Sequence, residues 1–237
     1  MRLQLRPLDA VGGSCPISGG PPGLALWHAR LTWTCDGTPL DLRVLAAEPV
    51  ALPEPEASEP VPGALARCVR ACAGSGALLL LANPAVALGT RHIALAEGVR
   101  LMAIADPTDE ACWDALLTLG QPCYGVRGEL HVEVLRAQPA SVISALSFGV
   151  FHASDGLVPD MIEESPRHVA WSCSEPVEAE VLGRAGFPLA RTSGPAGRYD
   201  DRGNEGVVRV VLRAGGRSCW TQPRFVAPRK DACAAPA

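Results

Sequence analysis

Apolar positions recur through the middle of the chain in a fixed order: a helix-spaced segment, then a short unbroken apolar run. Gly63 to Ala73 has helical spacing and is closed by Gly74, and Ala77 to Ala82 follows as a strand. A second round runs from a helical turn near Thr90 to Glu97, past Gly98, into a strand over Val99 to Ala105. A third places a helix over Glu110 to Leu119, a stop at Gly120 and a strand over Cys123 to Val126. A further strand, Leu130 to Leu135, leads through Pro139 to a helix over Ala140 to Phe148 that ends at Gly149. This alternation predicts an α/β layer.

From about residue 157 the period changes. His168 to Cys173, Val177 to Leu182, Val207 to Arg213 and Ser218 to Val226 alternate or are β-branched, and turn clusters such as GPAGRYDDRGNEG separate them. That pattern predicts a small antiparallel β unit. Residues 11–23 form a Gly/Pro loop, and residues 49–62, which alternate Pro with acids, form a stiff extended connector. The expected organisation is an α/β domain over residues 1–156, an antiparallel β domain over 157–228 and a tail over 229–237.

Composition narrows the function classes. With 237 residues, 48% of them hydrophobic, the chain can bury a full core and is not a disordered polymer. Its 21 basic and 25 acidic residues leave a net charge of −4 with no dense basic block, which argues against nucleic acid as a partner. The longest apolar run falls far short of the ~20 residues of a membrane span. The nine cysteines are widely scattered, with no pair at zinc-ribbon or redox spacing, so they read as buried thiols of a cytosolic protein.

No serine lies in a G-x-S-x-G elbow, and the glycine clusters lack the companions of a phosphate or dinucleotide loop. Four motifs in order do carry a resemblance. ALLLLANP (77–84), WDALLTLGQPCYGV (113–126), AQPASVISALSFGVFHASDG (137–156) and EGVVRVVLRAGGRSCWTQPRFV (205–226) resemble segments of polymerase-and-histidinol-phosphatase (PHP) proteins. The resemblance implies a truncated, distorted PHP-like (β/α) barrel followed by a small antiparallel β domain. In that family, clustered His, Asp and Glu at the barrel mouth hold divalent ions that activate water for phosphoester hydrolysis.

This sequence departs from that pattern at nearly every ligand. When WHARLTWTCDG (27–37) is laid on the family's opening motif, Ala29 and Leu31 take the histidine positions, Asp36 survives, and His28 falls one place out of register. Asn83 replaces a further histidine and Ala103 a glutamate, with Asp106 beyond it. The candidates left for metal are Asp36, Asp106, Glu129 and His131, enough for one weak divalent site at most. His131 and His152 are the candidates for acid–base or substrate contact. The expectation is therefore a degenerate relative that binds or regulates, with no cofactor; the alternative is a hydrolase with one weakly held ion. His92 and His168 read as surface residues, and Asp200, Asp201, Asn204 and Glu205 as a solvated hairpin. Because the unit after Gly37 is shortened, the sheet is expected to keep an open edge, covered by residues 49–62 or by a second copy in a homodimer.

Overall fold

A computed structural model describes residues 2–4, 13–18, 25–54, 56, 58–132 and 138–227. The expected tail, and residues 133–135 of the expected strand Leu130 to Leu135, lie outside them. In chain order the elements are β1 (Arg2–Gln4), β2 (Gly13–Ser18), β3 (Ala25–Cys35), β4 (Thr38–Ala46), α1 (Val61–Ser75), β5 (Leu78–Leu81), α2 (Pro84–Ala87), α3 (Gly89–His92) and β6 (Leu101–Ala103). There follow α4 (Pro107–Thr118), β7 (Tyr124–Val126), β8 (Glu129–Val132), α5 (Pro139–Ser147), β9 (Phe151–Asp155), β10 (Met161–Glu164) and β11 (His168–Leu182). The chain ends in β12 (Pro188–Asp200), β13 (Val207–Ala214), β14 (Arg217–Trp220) and β15 (Arg224–Phe225). Among the described residues no helix is long and apolar enough to cross a membrane.

The (β/α) barrel expected from the resemblance is not formed. Strand outweighs helix, 44% against 26%, and the strands build two sheets, neither closed on itself. A mixed sheet runs β2-β3-β4-β5-β6-β7, and an antiparallel one runs β10-β11-β13-β14-β9-β8-β1-β2. The physical reason lies in the connections. A barrel of this type needs crossover helices between parallel strands, and among the described strands only β5, β6 and β7 pair in parallel. Asp36 and Gly37 alone join β3 to β4, with φ of 47° and 76°, the mirror-image turn whose twist suits a hairpin. Two strands joined by two residues must run antiparallel. Much of the expected 11–23 loop is likewise a strand, β2.

Side-chain alternation explains how the mixed sheet packs. On β3, Leu31, Trp33 and Cys35 are buried while Thr32 and Thr34 face water, and Leu40, Leu42 and Val44 of β4 complete the apolar face. On α1, Val61, Ala64, Leu65, Cys68 and Cys72 form one buried stripe, the spacing of a helix lying on a sheet. The four leucines of β5 are all buried, as a central strand covered on both faces requires. Val50 and Leu52 pack against this core. Arg67 of α1 holds the same segment, donating to the Glu54 carbonyl at 3.0 Å and pairing with Glu56 and Glu59. Residues 50–54 are thus clipped to α1 and the core beneath it.

The antiparallel sheet runs across residue 156 without a break, because β14 pairs with β9 (Cys219 with Ser154). Strand β13 is buried on both sides: Val208, Val210 and Leu212 enter a core of the β-rich half, while Val207 and Val211 enter the larger core shared with the helices. The end of the mixed sheet is finished by a side chain. The buried Gln222 amide accepts from Gly125 N–H at 2.9 Å and donates to Gly125 C=O at 3.0 Å, standing where a neighbouring strand would pair with β7. Hence the β7 edge of the mixed sheet has a cover within the chain.

Candidate functional site

Ligands of open α/β sheets bind beyond the carboxyl ends of parallel strands, and here that region is filled by structural bonds. Asn83, after β5, accepts from Asp41 N–H at 2.9 Å and donates to the Pro39 carbonyl at 3.0 Å, fastening β4. Asp106, after β6, caps α4, accepting from the N–H of Thr108 (2.7 Å) and Asp109 (3.0 Å) and from the Thr108 hydroxyl. Those bonds, the Thr108 hydroxyl foremost, hold its carboxyl below the usual range. Arg127, after β7, donates to the Ile104 and Ala105 carbonyls and pairs with Asp155.

The four metal candidates do not assemble. Asp36 occupies its exposed hairpin turn and Asp106 its helix cap. Glu129 pairs through its backbone with Ser154, and its side chain lies outside the described residues. Among the described residues no three His, Cys, Asp or Glu side chains are grouped to hold a metal. The acidic turn offers no cation site either. Asp200 takes Arg198, Asp201 takes Arg224, and the Glu205 carboxylate receives the Tyr199 hydroxyl and the N–H groups of Gly203 and Asn204 at 2.9 Å each. With Asp201 and Glu205 buried, this is not the expected solvated hairpin. His92 is exposed, whereas His168 is partly buried between Ser165 and Glu163.

The structure does bring His131 and His152 together. They are opposed on the antiparallel pair β8 and β9, which α5 connects. Their rings stack at 4.7 Å, 6° from parallel. Lone pairs of imidazole lie in the ring plane, so two face-stacked rings cannot both point at one ion. The pair lines a cleft of about 380 Å³ together with Val150 and Phe151 and with Ile162, Glu163 and Glu164 of β10. Burial lowers the His152 pKa to about 4, and the neighbouring His131 adds to the fall, so this imidazole is neutral at physiological pH. Its Nε2 is enclosed and, among the described residues, has no hydrogen-bond partner. Burial among the cleft walls raises the Glu164 carboxyl despite the opposing Arg224 charge, while more than a third of the residue stays open to water and offsets part of that rise.

Glu163 and Glu164 were not legible as site residues, because a four-residue edge strand carries no motif. Only their place in the lining of the cleft marks them. No family model, curated protein or solved structure matches the chain.

Proposed function

We propose that the protein binds a small molecule, in a carrier or regulatory role, at the cleft where His131 and His152 stack. The cleft itself carries this reading: it is concave and partly apolar, and it is lined by a neutral histidine and by Glu163 and Glu164, the mixture by which small-ligand sites combine grip with orientation. A hydrolytic reading finds less support, since Asp36 and Asp106 already have turn and cap duties. The motif resemblance to PHP proteins stands beside this reading without carrying it. We further place the protein in the cytosol with no nucleic-acid partner, supported by the seven buried thiols among the described residues and by the net charge. Titration with a small-fragment library, followed by backbone amide NMR, tests the reading. Saturable shifts confined to residues 149–152 and 161–164 are expected. Hydrolysis of p-nitrophenyl phosphate with manganese or zinc that Asp36→Asn and Asp106→Asn both abolish would overturn it.

A further inference from the structure

Away from the histidine cleft, α1 and α5 each turn one stripe toward a common groove. Val69, Cys72, Ala73 and Gly76 recur on α1 and its end, and Ala140, Ile143, Ser144 and Ser147 on α5, the three- and four-residue steps that keep side chains on one helix face. Leu78 and Leu79, where β5 begins, also line the groove, which measures about 610 Å³. Among the described residues that line it, Arg100 alone is charged. Glu48, Arg70 and Glu97, the charged neighbours in sequence of the lining residues Ala47, Val69 and Gly98, stand outside the lining. Arg100 is exposed just before β6, and among the described residues its guanidinium makes no hydrogen bond or ion pair. Its carbonyl accepts from Tyr124 N–H at 2.9 Å, and the Tyr124 ring lies against Gly149. The start of β6 is thereby held near the carboxyl end of α5, where Phe148, another lining residue, is 73% exposed.

We propose that this groove is a second ligand site, which takes an organic monoanion with an extended apolar body, a medium-chain carboxylate being the simplest. The carboxylate pairs with Arg100, whose planar guanidinium can donate to both oxygens, and the body lies between the two helix stripes. One cation with no acid in the lining matches one negative charge. An organic cation finds less there, because acceptors at both helix ends are already engaged. The N–H groups of Gly76 and Ala77 and the Ser75 hydroxyl close on the Cys72 carbonyl, and those of Phe148, Gly149 and Val150 close on the carbonyls of Ser144, Leu146 and Ala145. These bonds also blunt the partial negative charge of the helix ends. The groove of about 610 Å³ falls within the range of small-molecule sites, roughly 300–1,000 Å³.

Octanoate, octanol and octylammonium share one apolar body and differ in charge, and each is titrated against the full chain by amide NMR at neutral pH and low salt. Octanoate is expected to shift residues 72–79, Arg100 and residues 140–148, and to bind about three- to fivefold more tightly than octanol, the span of an exposed ion pair, with octylammonium weakest. Arg100→Gln should bring octanoate down to the affinity of octanol while octanol binding is retained, which also shows that the variant folds. Ser144→Trp, at an exposed position of α5, fills the groove and should abolish these shifts for all three probes with the rest of the amide spectrum unchanged. Octanol or octylammonium binding as tightly as octanoate overturns the anion assignment, as does a preference for octanoate that survives Arg100→Gln. Absence of shifts in the groove, or shifts confined to residues 149–152 and 161–164, overturns the groove as a site and leaves the histidine cleft to stand on its own test.

Discussion

His28 lies on β3 with no solvent-exposed surface, and among the described residues neither ring nitrogen has a hydrogen-bond partner. Burial, reinforced by the Arg43 charge, lowers its pKa from 6.5 to about 4. A base whose pKa is lower in the folded state releases its proton on folding, so the folded state gains stability as pH rises from 4 to 6.5 and loses it as pH falls through that window. At 1.36 kcal/mol per pH unit the loss is on the order of 3 kcal/mol. Urea unfolding should show a marked drop in midpoint between pH 7 and pH 4.5, and His28→Phe should flatten it; an unchanged slope in the variant would assign the acid sensitivity elsewhere. By resemblance His28 falls one place out of register with a metal motif, and nothing local in the sequence reveals that the ring is enclosed. That depends on strands remote in sequence.

At the scale of elements, the helices and the parallel strands were legible because their apolar spacing is set locally. The helix read over Glu110 to Leu119 is α4, Pro107–Thr118, and the run Ala77 to Ala82 contains β5. Strand order was not legible, since pairing partners are chosen by the whole chain. The cluster GPAGRYDDRGNEG is in large part strand β12, whose Gly and Pro suit an edge position. Gly197 has a specific reason to be there: a Cβ would stand 2.3 Å from the ring of Trp171, its cross-strand partner. The Asp36-Gly37 pair shows how one dipeptide serves two readings, a metal motif by resemblance and a hairpin turn by geometry. Turn chemistry makes the distinction testable. Asp36→Asn should leave stability within about 0.5 kcal/mol, because Asn also tolerates positive φ. Gly37→Ala should cost about 1 kcal/mol. A large effect of Asp36→Asn on metal affinity, measured by calorimetry, would restore the ligand reading.

For the whole molecule, the decisive contacts join the two sheets. Arg209 of β13 is 2% exposed; it forks onto Asp114 of α4 at 2.8 and 2.7 Å, meets Glu110 at 2.9 Å and lies 4.7 Å over the Trp113 ring. Removing one side of such a pair strands buried charge, at a cost of about 3–5 kcal/mol. Arg209→Met should show that loss in chemical denaturation, and Arg209→Met with Asp114→Leu should recover part of it; a double variant no better than the single would mean that packing over Trp113, not charge, dominates. Gln222→Ala leaves the buried Gly125 N–H and C=O bare, for a loss of about 1–3 kcal/mol. Light scattering of this variant should show mass rising with concentration more steeply than in the parent chain. The Gln222 amide is 97 residues from the peptide it satisfies, and Arg209 is 95 from Asp114. Synthesis runs from the amino end, so β7 emerges from the ribosome long before its cover does. The mixed sheet therefore waits half-finished, its last strand available to any passing chain, until the final strands are made; the step that most exposes this protein to misassembly lies in its birth rather than in its mature form.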